Sequence, residues 1–536
     1  MGPFTHEFYR DVRRRLSPDG VFAQFLLIHR ITYPEFCTLL GTLQATFPHC
    51  SVWVTGPFVL VVATVPPFAI DYERFRQGLQ QPKVKASLEP FALGDPAALL
   101  GNFVVDERGV ENLTRGAPIN TEDRPFVGLT QLRFGDTVPP TLRHVFGQLT
   151  PVSSVLKRLP AEPANARSLL SRLDRFSLSH HYTMWAEHAY GQRRLSEAID
   201  YAQAALQTNQ EEANARRLLA SAQTELARLE SRAREQVRSF PGQASGYEAL
   251  AQVLAARGES LQATEALEKA LALGLDTPAL RGQLGDLYLS LGRADDAARH
   301  FRQALNHRPK SAALRVALAN ALQGQNRHEE AESLVLEALE READNVAAHE
   351  TLGLIYLNRG ELDKAQVQFE AMLHTDPLLA SPHLHLARVR EQRKLYPQAI
   401  ASYRMALGND PYLLPAYLNL TKLLGMQKDF GAAQDWALRG LRLLPASGEL
   451  WVVLGHALLG GGHLQEAEEA YGRALALQGD PLPAYTGLAL VATARGDREA
   501  ASYYWQEVLR RDPQSRSARE SLRALDEGAA GREEAP

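Results

Sequence analysis

The residues of this chain that could bind a metal or attack a substrate are its histidines and cysteines, and their spacing favours neither chemistry. His383 and His385 stand two apart in a helical pattern, so they face different sides of a helix and cannot chelate one ion together. His180-His181 reads as a solvated helix start. Cys37 and Cys50 are the only cysteines. Two thiols cannot complete a zinc site, and they read as buried and free, as suits a reducing compartment, with a disulfide as the alternative. Gly460-Gly461-Gly462 could cradle a phosphate, but the run falls on a turn between helices, and turn is the reading adopted. No G-x-x-x-x-G-K-[ST] loop, H-E-x-x-H helix or G-x-S-x-G elbow occurs. No catalytic, cofactor-binding or metal-binding residue is therefore assigned, and no cofactor is expected.

The bulk properties point the same way. With 536 residues, 45% hydrophobic and 22% charged, the chain has room for several domains or for a domain followed by a repeat array. A net charge of −4, with basic residues interleaved among acids, gives no field for nucleic acid. The polar stretch Met1 to Arg15 lacks the apolar core of a secretory signal, and His6 stands where a myristoylation signal wants Ser or Thr. The longest uncharged run, Cys50 to Ile70, is broken by Gly56-Pro57 and Pro66-Pro67. It predicts a strand pair, not a membrane span. The cytoplasm is the expected compartment.

The elements that would position any site follow a clock. Alanine recurs at 263, 297, 331, 365, 399, 433, 467 and 501, always 34 apart, and proline falls twelve residues later at 309, 377, 411, 445 and 513. In one unit Leu284 and Tyr288 share a helix face, Gly292 ends that helix, Ala297, Phe301 and Ala304 line a second, and Pro309 stops it. The pattern returns at Leu352-Gly353, Tyr356, Gly360, Ala365, Phe369 and Pro377, and again at Trp451, Leu454-Gly455, Gly462, Ala467, Tyr471 and Ala474. A plain helical bundle would show the 3.6-residue period of a helix without this 34-residue phase.

These residues resemble the tetratricopeptide repeat over about Gly246 to Pro513. An earlier unit carries Tyr182, Trp185-Ala186, Ala198 and Ala205, and the stretch Asn214 to Pro241 reads as a degenerate hairpin whose turn is shortened or lost. The predicted fold is mainly α, an α-solenoid of about eight to ten hairpins over 178–513, well phased from about 246. A polar capping helix at 514–526 and a disordered tail at 527–536 follow. The resemblance implies a protein or peptide partner in the concave face, met by the fifth and ninth positions of each unit. The pairs chosen as partner-binding are Glu350/Leu354, Leu384/Arg388, Leu418/Lys422 and Val452/His456. Gly282/Asp286, Val316/Asn320 and Thr486/Leu490 occupy the same places elsewhere. No unit has the Lys/Asn clamp of the chaperone-binding members. A partner with apolar anchors and some acidic character is expected opposite Leu384, Arg388, Leu418, Lys422 and Val452.

Residues 1–135 read differently, with 136–177 as a linker. Phe4, Phe8, Val12 and Leu16 mark a helix face, Ser17-Pro18-Asp19-Gly20 a turn, and Val21 to Ile28 a nearly continuous apolar run expected of a buried parallel strand. Phe36, Leu39, Leu40, Leu43 and Phe47 form another helix face, and Ser51 to Val54 and Phe58 to Thr64 a strand pair turning at Gly56-Pro57. The segments FTHEFYRDVRRRLSPDGVFAQFL, TLQATFPHCSVWVTGP and GAPINTEDRP resemble the C-terminal half of bacterial spermidine synthase-like proteins, some of which carry tetratricopeptide repeats. The resemblance implies part of a Rossmann-like, methyltransferase-like sheet whose cofactor-binding and catalytic residues lie upstream of the matched segment. Asn120, Thr121, Asp123, Arg124 and Pro125 match a motif read as an Asp/Arg-pinned turn, although Val127-Gly128 stands where relatives continue with an acidic residue. The strand at Val21 would leave an apolar edge. It awaits an upstream part of the gene (the favoured outcome), a separate chain, or packing against the first repeats. Two functions follow: an interaction scaffold with an inactive synthase-like remnant, or the C-terminal part of an aminopropyltransferase-like or methyltransferase-like enzyme.

Overall fold

The computed structural model describes residues 4–27, 31–55, 58–89, 93–123, 138–160, 162–477 and 479–533. The chain divides into two units, residues 1–382 and 383–536.

The first unit begins with α1 (His6–Arg15), capped by Thr5, whose side-chain oxygen accepts the Phe8 N–H. Then come β1 (Val21–Leu27) and α2 (Tyr33–Gln44), the latter opened by a capping box between Thr32 and Glu35. The strands β2 (His49–Thr55) and β3 (Phe58–Thr64) pair in register from His49↔Thr64 to Thr55↔Phe58, as expected of a hairpin; the turn residues 56–57 lie outside the described residues. Further on come β4 (Ile70–Asp71), α3 (Tyr72–Leu79), α4 (Pro82–Leu88), α5 (Pro96–Leu100), β5 (Phe103–Val105), α6 (Glu107–Thr114), α7 (Val138–Gly147), β6 (Leu156–Lys157) and α8 (Pro163–Gly191). The residues read as a linker, 136–177, thus contain α7 and the first half of α8, which runs on because no Gly or Pro interrupts 164–190.

The sheet has the order β1-β3-β2-β5 and is antiparallel at each pairing, while β4 and β6 form a separate parallel pair. On one face Leu26, Val52, Val54, Val59, Val61 and Ala63 are buried, as are Phe36, Leu39, Leu40 and Leu43 of α2. On the other, Trp53 packs with Phe103, Leu100, Tyr72, Leu173 and Phe176.

Two sequence expectations fail here. The strand at Val21 is neither buried nor parallel: β1 is an edge strand antiparallel to β3, with Val21 56% and Phe25 62% exposed. A continuous apolar run signals cover on both faces, but α1 covers only the side of Phe22, Gln24 and Leu26, with the Tyr9 ring 5.9 Å from that of Phe22. The antiparallel pairings do not carry a Rossmann-like reading of this sheet. Nor is His180-His181 a solvated helix start. Both lie inside α8; His180 shares a 2.8 Å hydrogen bond with the Val54 carbonyl, and burial pulls its pKa down to about 4. His181 packs against Phe146 and Tyr182.

The motif residue Asn120, 1% exposed, is a latch. Its side-chain amide donates to the Phe4 carbonyl at 3.0 Å, its N–H to the Thr42 hydroxyl at 2.8 Å, and its carbonyl accepts the His6 N–H at 2.9 Å. Asn120 thus pins this segment; Arg124 of the expected Asp/Arg pair, with 125–137, lies outside the described residues. Cys37 and Cys50 are free and buried, and burial pushes their thiols up to about 11 and about 12.

Beyond α8 the structure is helical hairpins. α8 packs on α9 (Leu195–Thr208), burying Tyr182, Trp185, Ala186, Ala198 and Ala205. The degenerate stretch has lost its turn altogether: α10 is one unbroken helix, Ala213–Ser239. From residue 244 the clock governs. The eight alanines from 263 to 501 each have 0% exposure. At the turn between paired helices, residues 258, 292, 326, 360, 394, 428, 462 and 496 all adopt positive φ. Five are glycine, and Asn326, Lys394 and Lys428 accept the same strained conformation. The triplet Gly460-Gly461-Gly462 sits on this turn, as expected. Between hairpins, Thr277, Ser311, Asn345 and Ser447 cap the next helix by accepting the N–H three residues on.

Close approach fixes another glycine. A Cβ on Gly285 or Gly353 would lie 2.5 Å from the ring of Phe301 or Phe369 in the facing helix, so only hydrogen fits. Ion pairs keep the beat too: Arg257 to Glu230, Arg359 to Glu332 and Arg495 to Glu468, each joining residues 27 apart and recurring at multiples of 34. In the second unit the helix Arg516–Glu533 takes in the stretch read as a cap and extends into the tail read as disordered; residues 534–536 lie outside the described residues. Its Ala518 packs against Ala489, Ala492 and Trp505.

Candidate partner groove

In the second unit, the helices Leu414–Met426 and Gly448–Gly460 are the first members of two consecutive hairpins, completed by Phe430–Leu443 and Leu464–Ala476. Their inner faces make one core, in which Tyr417, Leu420 and Leu424 meet Ala433, Ala437, Leu450 and Leu454. One step round each helix, Leu418 is half-buried against this core and Val452, 9% exposed, belongs to the next core with Tyr471 and Leu488, yet both also border a concavity. Its volume is about 910 Å³.

Leu418 and Lys422 enter it from the first helix, one turn apart. Val452 and His456 enter from the same two places 34 residues later. Leu414, Met426, Phe430 and Val453 widen the apolar floor, while Glu449 and Asp480 stand with Lys422 and His456 as the ionisable groups around it. Lys422 is exposed and, among the described residues, makes no ion pair. Asp480 is occupied as a cap, accepting the Leu482 N–H at 2.9 Å. The His456 ring meets Tyr471 edge-on at 5.6 Å. It is reached by solvent yet stands in a concavity, and the loss of water around it lowers its pKa.

Of the eight residues chosen from sequence, the structure thus brings four together: Leu418, Lys422, Val452 and His456. Leu384 is 8% exposed and belongs to the core cluster with Ala387 and Tyr403. Arg388, on the same helix, is half-buried near Tyr403. Glu350 and Leu354 lie on Val346–Arg359 in the first unit, both half-buried. The cavity residues that the fifth-and-ninth rule missed, Leu414 and Met426 above all, extend the same helix stripe by one turn each way. Following the i, i+4 spacing to the helix ends would have found them.

A second cavity, of about 500 Å³, opens in the first unit at His49, whose Nδ1 lies 2.8 Å from a Glu107 carboxylate oxygen; Cys50, Phe68, Arg108 and Glu111 border it. Among the described residues no group of three His, Cys, Asp or Glu could hold a metal ion, and no helix is long and apolar enough to cross a membrane.

Family models of the tetratricopeptide repeat match residues 248–313, 288–355, 351–413 and 452–516. Among curated proteins, the chain is 29% identical over 146 residues to the general transcriptional corepressor ssn6 of Schizosaccharomyces pombe, covering 27% of this chain and 13% of that one. It is 28% identical over 195 residues to the human protein O-mannosyl-transferase TMTC1, covering 35% and 22%. The match thus spans less than a quarter of either relative. Similar solved structures include a tetratricopeptide repeat protein from Parabacteroides merdae, with TM-score 0.37 and 16% identity over 46% of this chain and 98% of that one. Another is PilF of Pseudomonas aeruginosa, with TM-score 0.32 and 24% identity over 39% and 94%. With their alanines buried, their glycines under rings and their turns in phase, the hairpins of residues 248–413 and 452–516 are tetratricopeptide repeats.

Proposed function

We propose that this chain is a protein-interaction scaffold whose second unit takes a partner segment with apolar anchors and a carboxylate. The observation that carries the reading is the cavity of about 910 Å³ between Leu418/Lys422 and Val452/His456. Its size and mostly apolar lining with a few polar groups are those of a ligand site. Apolar anchors of the partner would cover Leu418 and Met426, the latter 58% exposed, while Val452, already buried, offers little area. A carboxylate would pair with Lys422, and Arg388, which makes no ion pair among the described residues, would extend the attraction. Glu449, on the same rim, would turn away a second acidic group placed beside it. The repeats support an interaction role, since stacked hairpins of this kind offer an extended concave surface. The two curated relatives are named for different activities, so neither activity comes to this chain.

The test reverses Lys422→Glu and Arg388→Glu together, then captures partners from an extract of the source cells. Recovery of the partners bound by the wild type should fall roughly tenfold, equivalent to about 1.4 kcal/mol. Unchanged recovery of the same partners would sink the proposal.

One observation favours a second reading, in which residues 3–135 are the C-terminal part of an aminopropyltransferase-like or methyltransferase-like enzyme. β1 is outermost, beside the β2–β3 hairpin, where the spermidine synthase-like resemblance puts the strand that borders the cofactor half. Sequencing upstream of Met1 for an in-frame glycine-rich loop, with an assay for aminopropyl transfer to putrescine, decides it. If both are negative, the reading is lost.

A further inference from the structure

The groove of the second unit differs from end to end. Its walls are the helices Leu414–Met426 and Gly448–Gly460, the same element of consecutive hairpins, which therefore run side by side in one direction. On the second wall Glu449, Val453 and His456 stand at i, i+4 and i+7, a single stripe. On the first, Leu414, Leu418 and Lys422 follow at i, i+4 and i+8. From the N-terminal ends of its walls the groove thus passes from a carboxylate, over apolar side chains, to a cation. The helical rise puts roughly 10 Å between the levels of Glu449 and His456, and Lys422 holds the level of His456 one repeat earlier. Glu449 and Lys422 are exposed and, among the described residues, neither makes an ion pair. Loss of water lowers the His456 pKa, so that ring is neutral near neutral pH and Lys422 carries the charge of its end.

We propose that the groove takes one amphipathic helix of a partner protein, laid antiparallel to the two walls, with an acidic residue, apolar residues one turn on and a basic residue one turn further. The inference rests on the partner reading above and gives that partner its form. The guest's acid meets Lys422, its apolar residues cover Leu418, Val453 and the 58% exposed Met426, and its base meets Glu449. A helix satisfies its own backbone groups, which an extended segment would press unpaired against Leu418 and Val453. A stripe of this spacing on a wall is also what a helix in a groove contacts. Charge by itself lets the guest run either way, and the dipoles decide. In the antiparallel guest the acid lies towards its own N-terminus and the base towards its C-terminus, where the backbone dipole stabilises each. That order of acid and base is also the better one along a helix. A parallel guest would reverse the order and align its dipole with those of both walls.

The test uses the full chain and an alanine-based peptide of about 15 residues that carries Glu-x-x-Leu-Leu-x-x-Lys at its centre. Fluorescence anisotropy should show binding, and circular dichroism a gain of helix when the two are mixed. A proline at the peptide's centre should weaken binding roughly tenfold; equal binding by the proline peptide would overturn the helix. A benzophenone at the peptide's N-terminus should crosslink towards Met426 and one at its C-terminus towards Leu414, and the opposite pattern would overturn the direction. Glu449→Lys and Lys422→Glu should each weaken the peptide several-fold, both residues being exposed and outside the core. The two variants separate the readings. If Lys422→Glu weakens binding and Glu449→Lys does not, this inference falls and the carboxylate-binding groove stands. If Lys422→Glu has no effect, or the peptide does not bind at all, the groove reading falls and takes the inference with it.

Discussion

Residues 4–123 and the phased repeats from 244 onward bury their apolar residues by opposite means. In the first region each contact is used once. Asn120 ties α1 to α2 through three hydrogen bonds, and Tyr9 holds one glutamine. In the second, a handful of positions does the same work eight times over. The alanine on the clock is sealed in every unit, and the positive-φ turn closes every hairpin. A solenoid unit touches chiefly its neighbours, so a solution found once can be copied along the chain. A sheet with helices on it has no such translation. Each residue there must be right for its own surroundings.

Three kinds of substitution would break or sharpen that contrast. The largest effect is expected at the ring-covered glycines. Gly285→Val and Gly353→Val should each cost about 3 kcal/mol, because the added carbons have only the Phe301 or Phe369 ring to displace. Equal losses of urea midpoint for the two would support a copied solution, and widely different losses would refute it. Next comes Asn120→Ala, expected to cost roughly 1–2 kcal/mol by leaving the Phe4 carbonyl without its donor. Faster amide exchange at the start of α1, with none in the repeats, is the matching observation; exchange unchanged at α1 would show that the latch is idle. The smallest is the cap. Ser311→Ala and Ser447→Ala should each cost about 1 kcal/mol, again in equal measure, as read from thermal melting. A cap worth nothing in one unit and much in the other would show that the repeats are less alike than their spacing.

The same contrast explains what was legible beforehand. In the repeats, the buried alanines, the turns and the departure at Asn214 to Pro241, a turn either shortened or lost, could all be read, because a periodic sequence reveals which residues share one environment. Half of the chosen groove residues meet in one cavity for the same reason. Leu384 shows the limit: its register matches Leu418, yet it sits in the core, since the neighbours that cover a position are not contained in its phase. In the N-terminal region the helices at Phe4 and Phe36 and the hairpin were evident from local pattern. The exposure of β1 and the burial of His180 were not. Both depend on which distant element arrives, α1 on one face of the strand and α8 against Val54.

Sequence alone settled the repeat unit, its length, its turns and the residues that must be small, because each is enforced between residues fewer than 34 apart. Only the tertiary structure decided that β1 pairs antiparallel with β3 and leaves one face bare, that an asparagine latches the start of α1, and that His180 meets the Val54 carbonyl. Those features arise where segments far apart in sequence come together, and no local spacing encodes the meeting.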